Sequence, residues 1–173
     1  MTSRLSRFAP VVLALLLVPA LCLADGFGYQ GWGPRVGISS DPDQVFGGVH
    51  VDLGEFAPHV RLQPSAEIGF GDNVTTLTMN GMVSYYFPVN APVTPYAGGQ
   101  ITAAFYNFDS NCEGFGRNFF GRHEHNCGNE TKIGPMAVGG IEMKLSGGAR
   151  FLAELNLGFG DLPAAKVTAG WTF

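Results

Sequence analysis

The chain is short of charge. Asp, Glu, Lys and Arg make up 14% of its 173 residues, against about 25% in an ordinary soluble domain. Lysine occurs only at Lys132, Lys144 and Lys166, no basic run exists, and the formal net charge is −4. That excludes the cationic surface that nucleic acid requires. Beyond the first two dozen residues the chain also lacks any apolar run long enough to cross a bilayer as a helix, and any sustained 3.6-residue periodicity, which leaves no helical framework to propose. What it has in excess is glycine, at 25 residues, and phenylalanine, at 14. So many aromatics with so little charge exclude a disordered chain, and the length fits one domain.

Residues 1–24 read as an address. Arg4 and Arg7 precede the apolar stretch Val11–Val18, and Ala24 offers a small residue for cleavage, the pattern of a secretory signal that is removed. Losing Arg4 and Arg7 takes the formal charge from −4 to −6. Residues 25–173 are then the single remaining domain. Their two cysteines, Cys112 and Cys127, form an even pair in an exported chain and are expected to be joined.

Over residues 25–173 the period is two. Val60, Leu62, Ala66, Ile68 and Phe70 alternate with Arg61, Gln63, Ser65 and Glu67; Phe151, Ala153, Leu155, Leu157 and Phe159 alternate with Arg150, Glu154 and Asn156. The same alternation predicts strands at Trp32–Ser39, Val45–Leu53, His59–Gly71, Thr76–Phe87, Tyr96–Phe105, Lys132–Leu145, Arg150–Gly160 and Lys166–Phe173. Turn chemistry separates them, including 54–58, 88–92 and 160–163. Only one connector is long, the predicted outer loop 109–131. Pro64 and Pro135 fall inside strands, where each removes a ladder hydrogen bond and suggests a bulge or distortion.

Eight antiparallel strands on short turns are expected to close, since an open sheet leaves two bare edges. The fold class is all-β, an eight-stranded up-and-down barrel. Two such barrels compete: a soluble lipocalin-like one with an apolar interior, and a transmembrane one with that pattern inverted. The polar face is rich in Gly, Thr, Ser and Asn, which suits a cramped lumen. The apolar face ends in aromatics: Phe70, Phe105 and Phe159 at one level, Trp32, Phe87 and Phe173 at the other. Two belts around an aliphatic middle favour the transmembrane form.

On the signal segment, the strand count and the terminal strand Lys166–Phe173, the sequence resembles the small eight-stranded outer-membrane barrels of Gram-negative bacteria, the OmpA/OmpX type. The resemblance implies location in the cell outer membrane, contact with membrane lipid and lipopolysaccharide, and a monomer. It also implies recognition of the last strand, with Trp171 and Phe173, by the barrel assembly machinery. Family members usually carry several long surface loops, whereas three of the four outer loops here are tight.

The lumen-facing charges expected to form an ion-pair network are Arg35, Asp52, Arg61, Glu67, Glu142, Lys144, Arg150 and Glu154. Lys132, Lys166, His50 and His59 are expected on the same face. An ion path is the competing reading, but eight strands leave room for little beyond side chains, and Tyr86, Tyr96, Tyr106, Met82 and Met136 add bulk. Loop residues Phe115, Arg117, Phe119, Phe120 and Arg122 form a candidate contact element. His123 and His125 are too few and too close in sequence to suggest a metal centre. No His has a Ser two residues on and no nucleophile elbow appears, so no catalytic set, metal or cofactor is assigned. The sequence therefore favours a non-enzymatic structural or surface barrel. A small channel or transporter for small or apolar solutes is the alternative, and a lipid-modifying rim enzyme comes third.

Overall fold

The computed structural model describes residues 26–71, 74–108 and 129–173. The segment 1–24, Cys112, Cys127, His123, His125 and the loop residues Phe115, Arg117, Phe119, Phe120 and Arg122 lie outside them. Eight strands follow in chain order: β1 Phe27–Ser40, β2 Gln44–Ala57, β3 Val60–Gly71, β4 Val74–Tyr86, β5 Val93–Phe108, β6 Asn129–Lys144, β7 Arg150–Gly158 and β8 Ala165–Thr172. Each pairs antiparallel with the next, and β8 returns to β1 with Arg35 opposite Gly170 and Ser40 opposite Ala165. The sheet is a closed barrel, so no strand is left bare along its whole length.

Closure depends on a close approach at the seam. The backbones of Trp32 and Phe173 exchange hydrogen bonds of 3.2 and 2.9 Å. A Cβ on Gly33 would run into the main-chain carbonyl of Trp171. Glycine at position 33 is thus required by space.

Several strands run further than the alternation indicated. The segment 54–58, predicted as a turn, belongs mostly to β2, which continues to Ala57 and turns only at Pro58–His59. Gly54 carries the irregularity there: its φ is +73°, and the Asp52 carboxylate accepts a hydrogen bond from its N–H at 2.8 Å. The long connector is likewise shorter than predicted, because Asn129–Thr131 are already paired with β5.

The two in-strand prolines behave differently from each other. Across β3–β4 the register runs unbroken through Pro64 opposite Gly81. The irregularity lies on the β2 side, between His50 and Glu55, where the missing N–H of Pro64 falls. At Pro135 the β5–β6 register is unbroken, and the β6–β7 ladder begins one residue later, at Met136 opposite Gly158.

The connectors 58–59, 87–92 and 145–149 and the C-terminus share the lower end of the barrel. Connectors 41–43 and 159–164 lie at the upper end, where β3 and β5 also end and β4 and β6 begin. Alternation places one face of every strand in the interior. Of β4, residues 74, 76, 78, 80, 82, 84 and 86 are buried and those between them are exposed. Outside lie Ile68, Leu77, Val83, Ile101, Leu155 and Val167, with Leu62 and Ala153 half-buried on the same face. Phe70, Phe105 and Phe159 ring the outside near the top, and Trp32, Tyr85, Phe87 and Phe173 ring it near the bottom.

Candidate functional site

The interior is where a soluble barrel keeps its hydrocarbon, and here it holds ions. Two quartets, each of two cations and two anions, are stacked inside. The upper one joins Arg35 of β1, Glu67 of β3, Glu154 of β7 and Lys166 of β8. Arg35 pairs with Glu154, and Lys166 with Glu67. The Arg35 Nε lies 3.3 Å from Glu67 Oε1, tying the two pairs together. The remaining carboxylate valences are also used: Thr78 donates to Glu67 at 3.2 Å and Tyr96 OH donates to Glu154 at 2.8 Å. All four ionic side chains are under 7% exposed.

The lower quartet joins Asp52 of β2, Arg61 of β3, Glu142 of β6 and Arg150 of β7. Arg150 Nη1 lies 2.6 Å from Asp52 Oδ2 and 3.5 Å from Glu142 Oε2. Arg61 Nη1 lies 3.2 Å from Glu142 and 3.7 Å from Asp52. Glu55 approaches Arg61 at 3.8 Å from the rim. An aromatic bridge connects the layers: the Arg61 guanidinium sits 4.2 Å above the Tyr86 ring, which stacks on Tyr96 at 4.7 Å. His50 is fully buried and shares a 2.8 Å hydrogen bond with Thr172.

Each quartet is neutral by count, and that decides what it can do. A buried charge without a partner costs several kcal/mol, whereas a paired and hydrogen-bonded one is tolerated. A ring of one sign would make an ion filter; two balanced quartets make a cross-brace. Long Arg and Lys side chains span the lumen and tie β1 to β7, β3 to β8 and β2 to β7, three pairs of strands none of which are neighbours in the sheet.

Apolar bulk fills what remains. Met82, Tyr86, Tyr96 and Val138 pack in one cluster. Val74, Ala104, Tyr106, Met136 and Leu162 form another at the upper end. Leu162 comes from the β7–β8 connector, so this connector turns an apolar side chain down into the barrel mouth.

Seven of the eight charges assigned to the network by sequence thus meet across the lumen. Lys144 does not. It ends β6, is exposed, and makes no ion pair among the described residues, because a long side chain at the rim reaches water more easily than it turns inward. His59 is likewise outside the lumen: it is exposed in the β2–β3 turn with φ +63°. Lys132 stays at the upper end, 3.4 Å from Glu130 and 5.5 Å from the Tyr106 ring centroid. Of the terminal aromatics, Trp171 packs edge-on against Phe151 at 5.3 Å and Phe173 is 65% exposed. Lys166 belongs to the upper quartet although the network assignment omitted it; its parity in β8 was the available signal.

No family model matches the chain, and no curated protein is similar to it. Among solved structures it is similar to Neisserial surface protein A (NspA), with 13% identity over 84% of this chain and 97% of that one, at a TM-score of 0.60. It also matches the N-terminal β-barrel domain of Pseudomonas aeruginosa OprF, with 15% identity over 84% and 99% of the two chains at 0.49. A de novo designed transmembrane β-barrel matches with 19% identity over 87% and 98% at 0.46. The first of these shows that the chain shares the small eight-stranded barrel fold of NspA.

Proposed function

We propose that this chain is an integral outer-membrane barrel of a Gram-negative bacterium, non-enzymatic, with a structural or surface-interaction role and a lumen closed to solutes. One observation carries the reading: charge and apolar surface are inverted. Leu155 is 48% exposed while its neighbour Glu154 is 3% exposed, an arrangement that only a hydrocarbon surrounding makes stable. The dimensions agree. From Phe151 to Phe159, at ~3.3 Å per residue and a tilt of about 40°, β7 rises roughly 20 Å, close to the ~25 Å apolar band of such barrels. The aromatics at its two ends sit where headgroups begin.

In this reading the upper end faces the cell exterior, lipid and lipopolysaccharide cover the wall, and the chain acts as a monomer. Trp171 and Phe173 present the terminal strand to the assembly machinery. Two neutral quartets and two apolar clusters occupy the described interior with side chains, which supports a wall or surface element over a channel. Refolded protein in a planar bilayer tests this. Conductance at background level is expected, and stable single-channel steps would refute the closed lumen.

A further inference from the structure

Strand β6 outruns its neighbour. It begins at Asn129 and pairs with β5 throughout, but its ladder with β7 starts only at Met136 opposite Gly158. The last main-chain bond on that side is from Phe159 N–H to Pro135 carbonyl, at 3.3 Å. Successive residues of a strand aim their main-chain groups alternately to its two sides. Thr131 and Ile133 therefore aim theirs the same way as Pro135, toward the missing part of β7. Their N–H and C=O groups have no partner among the described residues. Ile133 is also 72% exposed, more than any other large hydrophobic side chain described.

Beside this bare edge is a cavity of about 530 Å³, walled by Glu130, Thr131 and Ile133 on one side and Phe159, Asp161 and Leu162 on the other. Its lining is mixed: Ile133, Phe159 and Leu162 are apolar, and Glu130 and Asp161 contribute two carboxylates. Lys132 answers Glu130 at 3.4 Å, and Asp161 forms no ion pair among the described residues.

The geometry points to a docking edge for an extended peptide segment that carries a basic residue. The segment adds as a strand beside Thr131 and Ile133, exchanging main-chain hydrogen bonds with both. Its Lys or Arg lays an aliphatic stem along Ile133 and Phe159 and brings its cation to Asp161. A second copy of this chain is a poorer occupant, because edge-to-edge pairing brings Glu130 and Asp161 of one copy toward those of the other. The inference goes beyond the proposed membrane role and is independent of it, since the edge exists whichever compartment the upper end faces.

Amide hydrogen exchange on the refolded protein in detergent micelles tests it. The probes are the capped peptide Thr-Val-Lys-Val-Thr-Val, the same peptide with Glu for Lys, and the Lys peptide N-methylated at alternate amides. With the Lys peptide in excess, exchange at Thr131 and Ile133 is expected to slow by at least about tenfold. The Glu peptide protects them less at equal concentration, and the N-methylated peptide leaves them unchanged. Ile133→Pro removes an N–H that no neighbouring strand uses; it is expected to keep the barrel and lose the protection. The N-methylated control uses the unaltered protein and decides the matter even if that variant does not fold. Equal protection by the N-methylated peptide, protection without any peptide, or protection that rises with protein concentration alone would overturn the proposal.

Discussion

Breaking the upper quartet and then rebalancing it should have opposite consequences. Glu154→Gln keeps the volume and removes the charge, leaving Arg35 with Glu67 at 3.3 Å and with Lys166 as competitor for that carboxylate. At 3.3 Å and an effective dielectric of about 20, one such pair is worth roughly 5 kcal/mol of gross attraction. Desolvation offsets most of this while the pair is intact, but removing one partner strands the other. The expected destabilisation is about 3–5 kcal/mol. Arg35→Gln strands Glu154 instead, with only Tyr96 OH still donating to it, and should cost a similar amount. The double variant leaves the Lys166–Glu67 pair intact and strands nothing. Its destabilisation should therefore fall short of the sum of the singles by about 2–4 kcal/mol. Urea titration in lipid vesicles, followed by the fluorescence of Trp32 and Trp171, reads all four corners of the cycle. Single losses that add within about 0.5 kcal/mol would refute the claim that the quartet acts as a unit.

Three other perturbations follow from separate parts of the barrel. Arg in place of Leu155, midway along the outside of β7, should destabilise the inserted state by about 2–4 kcal/mol; the same vesicle titration reads it, and no effect would place that face in water. Gly33→Val should hinder closing of β1 on β8, because the added side chain meets the Trp171 carbonyl; loss of the heat-sensitive gel mobility shift of a folded barrel checks this. Cys112 and Cys127 are expected to be bonded, closing a loop worth about 3 kcal/mol in unfolded-chain entropy; two thiols alkylated in folded, unreduced protein would exclude the bond.

Facing was legible in the sequence because a strand's period of two leaves no freedom: once Leu155 is outside, Glu154 is inside. Pairing was not legible to the same degree. Which cation meets which anion is set by the stagger of the closed sheet, which brings Arg35 of β1 to Glu154 of β7 across 119 residues of chain. Strand ends were blurred where turn-forming residues sit in a strand. The run from Gly54 to Pro58 has turn chemistry, yet pairing of Glu55 with Arg61 and Ala57 with Val60 carries β2 to Ala57. The inward turn of Leu162 was invisible, since it lies in a connector with no periodicity to reveal which way it points. Lys144 shows the reverse limit: parity put it inside, and its position at the rim let it out.

The inversion of the barrel is tested most directly by spin labels placed one at a time at Phe151, Ala153, Leu155, Leu157 and Phe159 in liposome-reconstituted protein. If lipid surrounds β7, accessibility to dissolved oxygen should peak at Leu155 and fall toward both ends, while accessibility to a water-soluble nickel chelate should be lowest at Leu155. A flat profile, or a label at Leu155 open to the nickel chelate, would contradict it.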